Sequence, residues 1–365
     1  MKVVYDSFEG RYSDNPRALY ERRFRSSSRD SHIWLCDPDH AAGFPADVTT
    51  VPHRGVEAVA ALEAADLVIA NTHIELDWTK KPGAVYLQTW HGTPLKRIHN
   101  DVLWAPEGRL AALDHDVARW DYLLSPNAAS SPRLRDAFAF TGRVLEAGYP
   151  RNDVLSSSSA RALRAQVRES LGIGDDVTAV LYTPTWRDDE FFADGTPDVE
   201  LALDVDAFVR EMGPGYVLLP RLHYMLTNRA DPLDREGVVD VSRYPDVHEL
   251  YLAADAMITD YSSTMFDFAI TGKPMLFFAY DLENYRDSLR GFYFDLEQMA
   301  PGPVVRTSEQ VLAALQDLDG LRATYRRSYR KFQKRFAHLD DGHAGDRLQW
   351  VYDQPSRQPQ LTVQD

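Results

Sequence analysis

The sequence predicts an α/β protein made of two Rossmann-like domains, each organised around a parallel sheet. Three observations predict it. Short apolar runs alternate with helical segments through most of the 365 residues, the pattern of successive βαβ units. A polar stretch punctuated by Pro and Ser, GYPRNDVLSSSSARA from Gly148 to Ala162, breaks that rhythm in two. The run from Asp255 to Tyr280, DAMITDYSSTMFDFAITGKPMLFFAY, compresses a strand, a hydroxyl-rich turn, a helix and another strand into one segment.

In chain order, Val3–Tyr5 reads as the first strand, followed by a helix through RALYERRF with Ser13 or Asp14 as its cap and Pro16 in its first turn. HIWLC (His32–Cys36) and VTTV (Val48–Val51) read as strands. A helix GVEAVAALEAA precedes DLVIA (Asp66–Ala70), which delivers polar Asn71 and Thr72 past its end. AVYLQ (Ala84–Gln88) delivers Thr89, Trp90 and His91 into the loop WHGTPLKR, and DYLLS (Asp121–Ser125), a helix from about Ser131 and VLEAG (Val144–Gly148) complete the first domain. After the connection come a helix through Leu171 and the strand VTAVLYT, ending on Thr183, Pro184 and Thr185. A helix over Val205–Met212, the strand YVLLP (Tyr216–Pro220), VVDVS and the helix VHELYLAA lead to the 255–280 segment. The boundaries expected are 1–150, 151–350 and a polar tail at 351–365.

Composition narrows the function classes. Hydrophobic residues are 44% and charged residues 26% of the chain, ordinary for a globular protein. A net charge of −15 argues against a general nucleic-acid binder, which needs a broad basic surface, so a phosphate site has to be built locally. With Cys36 alone there is no internal disulfide. No charged-then-apolar leader opens the chain, and no apolar run nears the roughly 20 residues of a membrane span; a cytoplasmic protein is expected.

Several strand ends carry residues suited to chemistry. His91 could take a proton from a hydroxyl near neutral pH, since an imidazole titrates at about 6.5; the plainer alternative is a surface histidine. Arg221 and His223 alternate in LPRLH, and side by side they suit a diphosphate, or equally an ion pair. Thr185 and Arg187 lie in PTWRDDE, where Arg187 could grip phosphate. Ser262, Ser263 and Thr264 open a helix, with Thr264 and Asp267 at capping-box spacing and Gly272 and Pro274 marking its end. A helix start can hold a phosphate, or simply be well capped. No zinc-type His or Cys spacing and neither GxGxxG nor GxxxxGK[ST] is present, so no metal and no cofactor are expected. The closing segment LRATYRRSYRKFQKRF sets Tyr325, Tyr329, Phe332 and Phe336 on one stripe, with seven Arg and Lys elsewhere. Packing of that stripe on a domain is the main expectation, and contact with anionic lipid the minority one.

Eight segments together resemble the CDP-glycerol glycerophosphotransferase family, the teichoic-acid primases and polymerases: SFEGRYSDNPRALYE, QTWHGTPLKR, AGYPRND, LYTPTWRDD, LPRLH, ITDYSSTMFDFAITGKPMLFF, YDLENYRDSLRGFYFD and DDGHAGDR. They occur in family order from about Ser7 to Arg347. The resemblance implies a GT-B fold of two Rossmann-like domains facing a cleft, acceptor side first and nucleotide-donor side second, with the C-terminal helix packing back across the domains. It implies catalytic roles for His91, as base, and His223, and donor contacts from Arg221, Ser262, Ser263, Thr264 and Asp267, to which the strand-end reading adds Thr185 and Arg187. Tyr224 stands where family members often have Pro. The first domain begins at once, without the N-terminal extensions common in the polymerases, which favours transfer of one or a few units. The partners implied are CDP-glycerol or a related CDP-polyol and a polyol-phosphate or glycan acceptor, lipid-linked at the inner face of the bacterial plasma membrane. Rival expectations are a nucleotide-sugar GT-B glycosyltransferase, a silent nucleotide- or glycan-binding subunit, and a ribitol-phosphate donor.

Overall fold

The computed structural model describes residues 1–25, 29–185, 201–222, 233, 235–289 and 291–353. Arg187 and His223 lie outside the described residues. Two compact units form: Met1–His91, Trp104–Asp153 and the described part of Leu339–Asp365 make the first, and Gly92–Leu103 with Val154–His338 the second.

The first unit is a seven-stranded sheet of order β3-β2-β1-β4-β5-β6-β7. Its strands are β1 (Lys2–Asp6), β2 (Ser31–Cys36), β3 (Thr50–Pro52), β4 (Leu67–Ala70), β5 (Val85–Gln88), β6 (Tyr122–Ser125) and β7 (Arg143–Glu146). Every pairing is parallel. Parallel strands are covered on both faces, which is why LVIA, VYLQ and YLLS are buried along their whole length and show no alternation. Pro52 ends the edge strand β3, where a missing N–H costs no ladder bond. The strand order reverses between β1 and β4, so the ends of these strands are the crevice where open α/β sheets bind ligands.

The second unit is a five-stranded parallel sheet of order β12-β11-β10-β8-β9. It comprises β8 (Thr178–Thr183), β9 (Tyr216–Pro220), β10 (Ala256–Thr259), β11 (Met275–Phe278) and β12 (Val304–Val305). Here the reversal lies between β8 and β10. VVDVS, expected as a strand, makes only an isolated bridge to β9, with Val239 and Val241 donating to Leu218 and Pro220. Pro220 offers no N–H in return, which limits the ladder there.

The segment after His338 returns to the first unit, whereas the sequence placed everything to 350 in the second domain. Specific bonds explain the difference. Asp153 accepts from Ala344 and Gly345 N–H groups at 2.9 and 2.8 Å, Asp340 accepts from Asn152 at 3.0 Å, and Arg347 donates to the Ala147 carbonyl at 3.1 Å. Leu348, Val351 and Tyr352 then join Val3, Tyr5 and Trp34 in the core. AGYPRND and DDGHAGDR are thus two halves of one structural clamp.

The helix Leu318–Phe336 packs on the second unit by its aromatic stripe. Phe332 and Phe336 are buried against Phe266, with ring centroids 5.4 and 4.9 Å away, and the Tyr329 hydroxyl donates to the Lys273 carbonyl at 2.8 Å. The aromatic face is therefore taken up by the core, which removes it as the lipid-inserting face considered from sequence. Among the described residues no helix is long and apolar enough to cross a membrane.

Candidate active site residues

In the first unit the loop after β5 is held in an uncommon backbone conformation. Trp90 has φ 52°, a left-handed conformation that costs a bulky residue on the order of 1–3 kcal/mol. Three bonds hold it there: Trp90 N–H donates to Gln88 Oε1 at 2.9 Å, and its carbonyl accepts from Asn15 Nδ2 at 3.2 Å and from Thr89 Oγ1 at 3.1 Å. The turn sets the His91 ring 4.1 Å from the Trp90 ring and 5.3 Å from Phe8, centroid to centroid. Phe8, Glu9 and Asp14 also have positive φ, so the reversal between β1 and β4 collects backbone strain, as functional sites do.

His91 Nδ1 lies 2.7 Å from the Asn71 carbonyl. A carbonyl can only accept, so Nδ1 carries the proton and the Nε2 lone pair is left to act as a base. Burial pushes the His91 pKa below its ordinary value and Arg151 adds to that, while the Asn71 carbonyl and Asp14 oppose it. The net shift is downward, which keeps the ring neutral at pH 7. Asn71 acts twice, since its side-chain oxygen accepts the Phe8 N–H at 2.9 Å.

Around this loop sit residues that the sequence motifs contained without revealing their role. Arg151 of GYPRND and Asp14 of YSDNP form a buried ion pair, and Arg151 N–H donates to Asn15 Oδ1 at 3.2 Å. Asp6, 3% exposed at the end of β1, has its pKa pushed up to about 7 by burial, against the Gly10 N–H it accepts at 3.0 Å. Because the folded value lies above the unfolded one, the folded state binds more protons between about pH 4 and 7, and stability falls as pH rises through that window. Asp6→Asn keeps an acceptor for Gly10 and removes the charge. Its melting temperature is expected to gain on the wild type progressively from about pH 4 to 7, worth at most ~4 kcal/mol; a difference independent of pH refutes the assignment.

In the second unit the ends of β8 and β10 are tied together. Thr259 Oγ1 donates to the Thr183 carbonyl at 3.0 Å, and Thr183 and Thr264 hydroxyls pair at 3.2 Å. Asp260, 2% exposed, accepts the Thr185 N–H through both oxygens at 2.9 and 3.0 Å, and the Tyr261 N–H at 2.5 Å. Asp260 thus organises the turn, a role that its place in the sequence does not reveal. Ser262, Ser263, Thr264 and the buried Asp267 belong to this turn and the helix it starts, and Thr185, just past β8, is tied to it through Asp260.

The capping box expected there is absent. Ser263 is the cap with helical backbone angles and no side-chain cap bond, and Thr264 N–H is met by Ser262 Oγ at 3.3 Å. The helix Thr264–Phe268 is five residues long and passes into a 3-10 turn, Ala269–Thr271, closed by left-handed Gly272. So short a helix contributes little macrodipole, and what the turn presents is hydroxyls and backbone N–H groups. Arg221, at the end of β9, donates through Nη1 to the Val241 and Tyr244 carbonyls at 3.0 and 2.6 Å, a tether between strand end and following loop.

TPLKR and RGFYF, both quoted for the resemblance, meet in this unit: Arg97 N–H donates to the Gly291 carbonyl at 3.1 Å and Tyr293 N–H to the Leu95 carbonyl at 2.8 Å. Gly291 has φ 66°, and a Cβ there would come 2.9 Å from the Arg97 side chain. A larger residue is disfavoured on both counts.

A family model described as CDP-Glycerol:Poly(glycerophosphate) glycerophosphotransferase matches residues 1–351. The chain belongs to that family. Among the relatives of this chain, the teichoic acid poly(glycerol phosphate) polymerase of Bacillus subtilis (strain 168) is 37% identical over 358 residues, 95% of this chain and 48% of the relative. The teichoic acid glycerol-phosphate transferase of Staphylococcus aureus (strain NCTC 8325 / PS 47) is 37% identical over 357 residues, 95% of this chain and 91% of the relative. The chain spans about half the length of the first two curated relatives it matches, 48% and 49%. A structure of the wall teichoic acid polymerase TagF superposes with a TM-score of 0.90 at 36% identity, covering 97% of this chain and 89% of that one. A TagF variant soaked with CDPG superposes at 0.89. The two parallel α/β units are accordingly those of the GT-B class.

Proposed function

We propose that this chain moves glycerol phosphate, or a related polyol phosphate, from a CDP-activated donor to a hydroxyl of a cell-wall or capsular polymer, releasing CMP. The observation that carries the reading is the His91 tautomer: the Nδ1 proton is engaged by the Asn71 carbonyl, so Nε2 is the basic atom. In the step proposed, the acceptor oxygen attacks the phosphorus bearing the polyol and gives its proton to Nε2. The bond from that phosphorus to the bridging oxygen breaks, and CMP leaves with the electron pair. The donor phosphates are assigned to the turn of Thr185, Ser262, Ser263 and Thr264, with Arg187, Arg221, His223 and Asp267 as the further donor-side residues from the sequence. Phosphoryl transfer asks mainly for positioning and charge stabilisation, and we read it here as metal-independent.

The polymerases and transferase named above, and the CDPG-soaked TagF crystals, support a CDP-glycerol donor. The acceptor is taken to be a lipid-linked polymer at the inner membrane face. The experiment incubates the chain with CDP-glycerol, CDP-ribitol and nucleotide sugars, with and without a glycerol-phosphate primer, in EDTA. Primer-dependent CMP from CDP-glycerol is expected. A nucleoside diphosphate from a sugar donor points to a glycosyltransferase, and no release from any donor to a silent binding subunit.

A further inference from the structure

The helix Leu318–Phe336 presents to solvent a charge pattern that the proposed reaction leaves unused. No acidic residue stands between Asp319 and Asp340, while seven Arg and Lys do, in a chain whose net charge is −15. All seven are exposed, and Ala323 is the one exposed apolar residue of this helix. Helical spacing puts Arg326, Arg330 and Lys334 in one row and Arg327, Lys331 and Arg335 in the next. Arg322 pairs with Asp319 at 2.9 Å; the other six have no acidic partner among the described residues.

Like charges four residues apart repel and oppose the helix, and a face serving only solubility ordinarily mixes signs. The rows run from residue 326 to 335, about 14 Å at ~1.5 Å per residue. An elongated cationic strip on an otherwise acidic protein attracts and orients a linear polyanion. The same helix supports the turn assigned to donor phosphate. Phe266, two residues beyond Thr264, stacks on Phe332, and Gln333 Nε2 donates to the Ala269 carbonyl at 2.7 Å.

We infer that this face binds successive phosphodiesters of the poly(glycerol phosphate) chain, holding the acceptor polymer beyond its reacting end. The identity of the polymer rests on the function proposed above. A bilayer is the less fitting partner, because interfacial helices bind by burying an apolar face, and here that face is already covered.

The test measures binding of fluorescent poly(glycerol phosphate) of defined length to the full chain without donor, so it does not depend on turnover. Arg326→Glu/Arg330→Glu/Lys334→Glu is expected to weaken binding by at least about tenfold and to flatten the dependence on log salt by about two to three. The corresponding triple Gln variant, which adds no repulsion, should give an intermediate loss. KM should rise for a long acceptor and stay unchanged for a single-unit acceptor and for CDP-glycerol. Equal polymer affinity in wild type and both variants overturns the inference. So does a wild type that ignores the polymer while floating with phosphatidylglycerol vesicles, which assigns the face to a membrane. Failure of the donor assay with polymer binding intact refutes the proposed transfer and leaves the cationic strip standing.

Discussion

His91→Ala is expected to lower kcat by about 10²- to 10⁴-fold, the contribution of a positioned general base, while CDP-glycerol affinity stays within about twofold. In the step proposed His91 acts only through Nε2, because Nδ1 donates to the Asn71 carbonyl. On that proposal, loss of the ring removes proton transfer and leaves the Ser262–Thr264 turn, to which we assign the donor, untouched. In the wild type, burial holds the His91 pKa below its ordinary value, so the acid limb of the kcat/KM profile should have its midpoint below about 6.5. In His91→Ala that limb should disappear from the residual rate. Equal losses in donor affinity and rate would instead make His91 a binding residue.

Breaking the Asp14–Arg151 pair should have the largest effect on stability. The side chains are 8% and 6% exposed, and the guanidinium also lies 4.9 Å from the Tyr149 ring centroid. Removing one partner leaves a buried charge uncompensated, which costs about 3–5 kcal/mol. Asp14→Ala and Arg151→Met should each show that loss in urea unfolding. The double variant should recover more than half of it, since neither charge then remains. The pair also acts on His91 with opposite signs, Asp14 raising its pKa and Arg151 lowering it. The acid limb should therefore move to lower pH in Asp14→Ala and to higher pH in Arg151→Met. Single variants whose costs simply add in the double would show that the two residues do not act as a pair.

Local pattern made much of the molecule legible in the chain itself. Apolar runs such as LVIA and MLFF, bounded by Asp, Gly and Pro, are strands because a parallel sheet buries both faces. The four-three-four spacing of Tyr325, Tyr329, Phe332 and Phe336 marks a packed helix face for the same geometric reason. The ordered set of motifs identified the family. The Ser262–Thr264 turn and His91 stand out as candidates by residue type at strand ends, where α/β sheets place their ligands. The cap of the short helix was misread because Thr183 and Thr259, brought beside it by strand pairing, take up the Thr264 hydroxyl.

What the sequence determined was therefore the alternation of elements, the family and the chemistry-bearing residue types, all of which depend on neighbours within a few positions. The tertiary structure alone decided that Trp90 and Phe8 adopt left-handed backbone angles, that Asn71 fixes the His91 tautomer, and that Asp14 meets Arg151. It also decided that residues 339–353 return to the first unit. These features join residues 20 to almost 200 positions apart, and no local propensity encodes a bond whose partner is supplied only when the sheet assembles.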